Sequence, residues 1–370
     1  MKANSYLETD LNAIYDNVHE IQKEIGHGTK LIPVLKGNAY GLGAVRLAKA
    51  LTENCGIDFI AVSHAAEGIQ LRQAGLACEL MTMSLPLDWQ VEEAAEQHLI
   101  LPLGSFRQFE ILKETSRRLN RKIDVQVKLD TGLHRIGFPA EETEQLCRML
   151  RAYQDYLNIR GTFSHFCDDC PTHMAQQAAC FRTGIEALRD AGIEPGLCHI
   201  SSSSSVEATD LYHFDAVRIG RRLYLDHPDK PTGKIREAMS FRAYVADIRQ
   251  RRAGDTLGYN SEFVLESDTL VGVLSIGYGD GLSPELARVK APVLIGGQKT
   301  KLLAVCMDQS FVDLNGVLCQ PGDEVTLFGY DAGGNLLSSQ YLASLIGAYE
   351  GCGLTSALTE RVERRYLQRA

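Results

Sequence analysis

Lys36 ends an apolar, β-branched run in Leu31-Ile-Pro-Val-Leu-Lys36-Gly-Asn-Ala-Tyr40-Gly-Leu-Gly43, and a small-residue turn, a tyrosine and two glycines follow it. A lysine at the carboxyl end of a buried strand points into the mouth of an α/β fold, where active sites form. Burial there lowers an ammonium pKa and suits Schiff-base chemistry with a carbonyl. A strand-end lysine that snorkels to solvent fits the spacing equally well. Gly41 and Gly43 suit the close backbone approach that a phosphate needs at the following helix start. Arg135, closing Lys128-Leu-Asp130-Thr-Gly132-Leu-His134-Arg135, follows another strand and can hold a carboxylate through two parallel hydrogen bonds.

Further groups stand at strand ends and turns. Gly161-Thr-Phe-Ser-His165 sets an imidazole just past a strand, where a satisfied structural histidine is the commoner occupant. The serines 201–205 offer hydroxyls and N–H groups to a phosphate, or simply an N-capping cluster. Arg218-Ile-Gly220-Arg221-Arg222 follows a strand at the position where barrels place a phosphate cup of backbone N–H groups. Tyr259, Tyr278, Met307 and Asp308 lie in polar, turn-rich segments, where tyrosines and aspartates are usually structural. His165-Phe-Cys167-Asp-Asp-Cys170-Pro-Thr-His173 has zinc-ligand spacing but no second Cys-x-x-Cys pair, so a loop with two reduced thiols and no metal is expected.

Short apolar runs alternate with helical periodicity from the start to about residue 225. Strands are expected at 31–35, 59–62, 80–83, 99–103, 123–129, 159–163, 199–200 and 216–217. Helices are expected at 44–51, 65–73, 106–119, 141–156 and 174–191. Such alternation implies a parallel sheet, and eight strands fit a closed (β/α)8 TIM-type barrel. After the polar stretch 226–233 the pattern changes to period-2 strands (243–248, 270–276, 293–296, 301–305, 310–314 and 324–328) with one helix at 338–347. The expected fold is α/β, with a barrel over 1–232 and a mainly-β domain over 233–370.

At 370 residues the chain has room for both domains. A hydrophobic share of 45%, a charged share of 23% and a net charge of −9 describe a soluble protein and disfavour nucleic acid or an anionic membrane as partner. No apolar run approaches ~18 residues and the first ten residues lack a signal core, so a cytoplasmic protein is expected. The ten cysteines are scattered, mostly among apolar neighbours, as reduced core thiols are.

Taken in order, these segments resemble the alanine racemase family, fold-type III enzymes that use pyridoxal 5'-phosphate (PLP), and the resemblance runs through both domains. It implies a cofactor carried on Lys36 and a phosphate held by Tyr40 with Ser203, Gly220 and neighbouring backbone. Arg135 would contact the cofactor hydroxyl and the substrate carboxylate side, and His165 would support an Arg218 that faces the pyridine nitrogen. A head-to-tail homodimer would bring Tyr259, with Met307 and Asp308, from the other subunit. Lys128 matches a position carbamylated in some members. Racemisation then uses two acid–base groups, Lys36 and Tyr259, one on each face of the cofactor. L-Alanine is the expected substrate, for D-alanine biosynthesis.

The chain departs from the family at Leu358-Thr359-Glu360-Arg361-Val362-Glu363-Arg364, where Glu360 stands in place of a tyrosine that borders the phosphate. An acid there needs a cation, and Arg221, replacing an apolar residue of the phosphate cup, is the expected one. Leu42 replaces a common histidine and Ser202 a common asparagine. These changes leave room for a serine or broader-specificity racemase. An arginine at the ring nitrogen disfavours a fold-type III decarboxylase, and the retained β domain disfavours a PLP-binding regulatory protein.

Overall fold

The short β-branched runs become strands in chain order after an N-terminal β1 (Ser5–Asp10): β2 (Lys30–Pro33), β3 (Phe59–Val62), β4 (Glu79–Thr82), β5 (Leu101–Leu103), β6 (Ile123–Lys128), β7 (Leu157–Phe163), β8 (Leu197–His199) and β9 (Ala216–Ile219). This is a computed structural model, and it describes residues 2–227, 231–348 and 350–368. Strands β2 to β9 belong to a unit of Val18–Ala39 and Ala44–Leu223. Six of them pair in parallel in the order β2-β9-β8-β7-β6-β5, and β3 pairs with β4. Parallel bridges Val34–Ala61 and Met81–Ile100 close the ring, giving the eight-stranded barrel that the sequence pattern implies. Helices such as Ala44–Asn54, Arg107–Leu119 and Pro171–Asp190 connect successive strands. Because helices cover the outer face and side chains fill the inside, most strand positions are apolar. Ile32, Val34, Phe59, Ala61, Met81, Ile100, Phe163 and Ala216 make one buried cluster of that core.

A second unit comprises residues up to Asn17, Tyr40–Gly43 and residues from Tyr224 onward. Its strands are β10 (Met239–Arg251), β11 (Thr256–Leu257), β12 (Phe263–Val264), β13 (Thr269–Leu274), β14 (Pro292–Ile295), β15 (Gln298–Val305), β16 (Ser310–Asp313), β17 (Glu324–Tyr330), β18 (Leu336–Leu337) and β19 (Glu363–Leu367). Long β10 organises them: its first half pairs with β1 and β17, its second half with β13. The N-terminal strand β1 lies antiparallel to β10 and parallel to β19. Thus the first strand of the chain belongs to the sheet built from its last third. The alternation expected from the very start of the chain does not reveal this.

Candidate active site

The barrel order explains which chemical groups gather. Lys36 follows β2, Arg218 lies on β9 with Gly220 just after it, Ser203 follows β8, His165 follows β7, and Lys128 ends β6 with Arg135 beyond it. These five strands are consecutive neighbours, β2-β9-β8-β7-β6, and all the groups stand toward their carboxyl ends. That is the face on which parallel barrels build active sites. Ser203 and Gly220 touch directly, the Gly220 N–H donating to Ser203 Oγ at 3.2 Å.

Arg218 is the centre of the group. Its guanidinium is buried, yet its partners are two imidazoles and backbone carbonyls: His199 Nδ1 at 2.5 Å, His165 Nδ1 at 3.0 Å, Ser164 O at 2.8 Å and Ile200 O at 3.0 Å. His199 is fixed in one tautomer. Its Nδ1 accepts from Arg218, so Nε2 carries the proton and donates to Gln126 Oε1 at 2.6 Å. The ring also stacks on Phe163, with centroids 5.5 Å apart. Burial first, then the charge of Arg218, holds His199 well below the usual histidine range. His165 is lowered in the same way, by burial and then by Arg218, Arg135, Lys128 and Lys36. Both imidazoles are therefore neutral acceptors at neutral pH. Burial and Arg135 bring Arg218 itself down to about 9, so it stays a cation there. The role of His199 was not legible in the sequence, where the residue read only as the end of a strand; the signal would have been its pairing register beside Arg218.

The amine that burial perturbs is Lys128. It lies inside the barrel, donating to Leu129 O at 2.5 Å and Ser164 Oγ at 3.3 Å. Burial and the charges of Arg218 and Arg135 push it down to about 7, against a smaller upward pull from Asp130. Lys36, by contrast, is exposed, the snorkelling alternative that its spacing allowed. The reason is the backbone that follows. Gly37, Asn38, Ala39, Tyr40 and Gly41 all have positive φ, between 54° and 87°, forming a left-handed turn that carries the chain away from the strand end. Three of the five are not glycine, at a cost of roughly 1–2 kcal/mol each. Such strain persists only where surrounding contacts impose it, and it clusters at functional sites. Glu67 is one such contact, its carboxylate accepting from the N–H groups of Gly37 (2.6 Å), Ser63 (2.8 Å) and His64 (3.0 Å). Asn38 Oδ1 adds another, accepting from Ala44 N–H at 2.8 Å.

Gly41 and Gly43 do permit close approach, but to the chain itself. A Cβ on Gly41 would stand 2.1 Å from Thr355 O, and one on Gly43 would stand 2.0 Å from the Tyr366 hydroxyl. Arg364 Nε donates to Gly41 O at 3.0 Å and the Tyr366 hydroxyl to Leu42 O at 2.8 Å. In the same unit the Tyr40 ring meets buried Tyr224 edge-on, with centroids 5.9 Å apart.

Tyr259, Met307 and Asp308 also belong to this second unit. Tyr259 is 58% exposed, on a tight turn after Gly258 where Asn260 and Ser261 have positive φ. The turn rests on a small core of Leu257, Leu265, Val271, Leu303 and Ala304. Tyr278 and Met307 are exposed on adjoining turns, joined by N–H donation from Tyr278 to Cys306 O (2.9 Å) and from Gly279 to Met307 O (2.8 Å). Asp308 is paired with Arg361 at 2.8 Å, and Arg361 also reaches Asp280 at 3.0 Å.

The Arg221 side chain is buried in an ion pair with Glu207, which also faces Arg222 at 3.5 Å. Glu360 acts on Arg364, the arginine that ties Leu358 O, Thr359 O and Val362 O into one turn.

The family profile for the alanine racemase N-terminal domain matches residues 9–228, and the profile for the alanine racemase C-terminal domain matches residues 238–366. The chain is 32% identical to an alanine racemase of Geobacter sulfurreducens over 97% of its own length and 96% of the relative's. It is 32% identical to an alanine racemase of Streptococcus uberis, with the same two coverages. The crystal structure of alanine racemase from D-cycloserine-producing Streptomyces lavendulae superposes with a TM-score of 0.92 at 28% identity, covering 100% of this chain and 98% of that one.

Proposed function

Because the chain belongs to the alanine racemase family, we propose that its barrel face and its Tyr259 turn are the two halves of a racemase site. The protein is a PLP-dependent racemase whose main substrate is alanine. The donor set fits that cofactor. The charges acting most strongly on His165 are four cations, Arg218, Arg135, Lys128 and Lys36, a suitable setting for an anionic cofactor and a carboxylate substrate. When bound, PLP withdraws electron density from the substrate Cα and so makes its proton removable.

Lys36 carries the cofactor in this reading, and Tyr40, Ser203, Gly220 and the main chain of Arg221 hold its phosphate. Arg135 orients the carboxylate side of the substrate, with Met307 and Asp308 bordering it. Lys36 and Tyr259 then remove a proton from one face of Cα and return it to the other. Arg218 carries this reading furthest. A guanidinium held by two neutral imidazoles donates a hydrogen bond but does not release its proton, so a ring nitrogen facing it stays unprotonated. That weakens the electron sink enough to favour proton return over side reactions such as transamination. It also disfavours a decarboxylase, in which a carboxylate would face the nitrogen.

The exposed Tyr259, Tyr278 and Met307 support a homodimer in which these turns complete a partner's barrel. A near-neutral amine at Lys128 is the form that reacts with CO2, which supports carbamylation there. Among the described residues no helix is long and apolar enough to cross a membrane, and the proposed place of the enzyme is D-alanine supply in the cytoplasm. The domain division proposed is 1–232 and 233–370, with β1 contributed back to the second sheet.

The test is to incubate PLP-loaded protein with a panel of L-amino acids and resolve the enantiomers. D-Alanine as the fastest product supports the reading, and D-serine at equal or greater rate would assign the Glu360 segment a role in substrate choice. Carbon dioxide release without D-amino acid would overturn it.

A further inference from the structure

The loop after β7 carries a cluster that the racemase reading leaves unused. Cys167 Sγ, a carboxylate oxygen of Asp168 and a ring nitrogen of His173 all lie within 4.8 Å of one another, and all three residues are exposed. We propose that this loop binds a divalent transition-metal ion of the zinc class through Cys167, Asp168 and His173.

The donor types select the ion. A thiolate and an imidazole favour borderline ions such as Zn2+ or Co2+ over Mg2+ or Ca2+, which take oxygen ligands. Metal–ligand bonds of about 2.0–2.3 Å in a tetrahedron set donor atoms roughly 3.3–3.8 Å apart. His173 Nδ1 and Asp168 Oδ2 are now 2.8 Å apart, so admitting the ion takes an opening of their mutual hydrogen bond by about half an ångström and a closing-in of the Cys167 thiol, which lies within 4.8 Å of both.

Supporting groups are already in position. Buried Gln177 grips Cys167 at both ends, its Oε1 accepting from the Cys167 N–H at 3.1 Å and its Nε2 donating to Sγ at 2.7 Å. An amide donor on a thiolate is the kind of outer support that metal ligands use. Asp168 Oδ1 accepts from the Cys170 N–H at 3.0 Å, which fixes the carboxylate on the loop. Three protein ligands leave a fourth position for water, or for Cys170 three residues along from Cys167. The sequence lacks a second Cys-x-x-Cys pair, and the structure supplies the missing ligands from an aspartate and a histidine instead. The same segment begins at His165, so an ion here ties down the loop that also holds Arg218.

The experiment titrates reduced, PLP-loaded protein with Zn2+ against a chromogenic chelator and repeats it with Co2+ as a spectroscopic probe. One equivalent per chain and a thiolate-to-cobalt absorption band are expected. Cys167→Ser and His173→Ala should each weaken binding at least tenfold, with Cys319→Ser, in the other unit, unchanged. A loss below tenfold in either loop variant, or an equal loss in Cys319→Ser, overturns the proposal.

Discussion

A buried guanidinium ordinarily takes a carboxylate, and Arg218 has imidazoles and carbonyls instead. Replacing it with an acid reverses the electrostatics at the ring nitrogen. Arg218→Glu should lower alanine racemisation by about a hundredfold or more, as loss of a preorganised donor does. Keto acid formed per racemisation turnover should rise at the same time, measured by coupled pyruvate assay. At Lys128 the consequence is for stability. An unfolded lysine titrates near 10.4 and the folded one at about 7, so between those values the unfolded chain binds the extra proton. The burial penalty is therefore fully present below pH 7 and fades as pH rises toward 10. In bicarbonate-free buffer, denaturant titrations should show stability rising with pH by up to about 1.4 kcal/mol per unit over that window. Lys128→Met should flatten the rise. The places of Lys36 and Arg135 beyond barrel strands were legible because each ends a readable motif. The role of His199 and the lowered pKa of Lys128 were not, since cross-strand register and burial, not residue type, give them.

The lysine turn shows how an element can be held in an unfavourable conformation. Five consecutive residues with positive φ depend on outside support, and Glu67 bonds three backbone N–H groups around it. Glu67→Ala should cost about 1–3 kcal/mol of stability. It should also weaken PLP binding at least tenfold, read from cofactor absorbance on dilution. Gly41→Ala forces a Cβ onto Thr355 O and should cost more than about 2 kcal/mol by thermal unfolding. All eight barrel strands were readable from apolar runs bounded by turns. Strands β1 and β19 were not: Ser5-Tyr-Leu-Glu-Thr-Asp10 and Glu363-Arg-Arg-Tyr-Leu367 are short and polar. They become strands by pairing with each other across nearly the whole chain, as in Tyr6 with Glu363. Local pattern cannot report such a pairing.

The whole molecule is proposed to work as a pair, and that has an arithmetic consequence. Lys36→Ala and Tyr259→Ala homodimers should each be inactive as racemases. If each site takes its lysine from one chain and its tyrosine from the other, random mixed dimers restore one intact site, giving about a quarter of wild-type activity. Recovery near zero after subunit exchange would place both groups in one chain. The central claim, that Lys36 and Tyr259 act on opposite faces of Cα, is tested most directly by following each alanine enantiomer in D2O with PLP-loaded Tyr259→Phe. Racemisation should be lost while one enantiomer, and only one, still exchanges its Cα proton with retained configuration. Racemisation of both enantiomers at wild-type rates would contradict it.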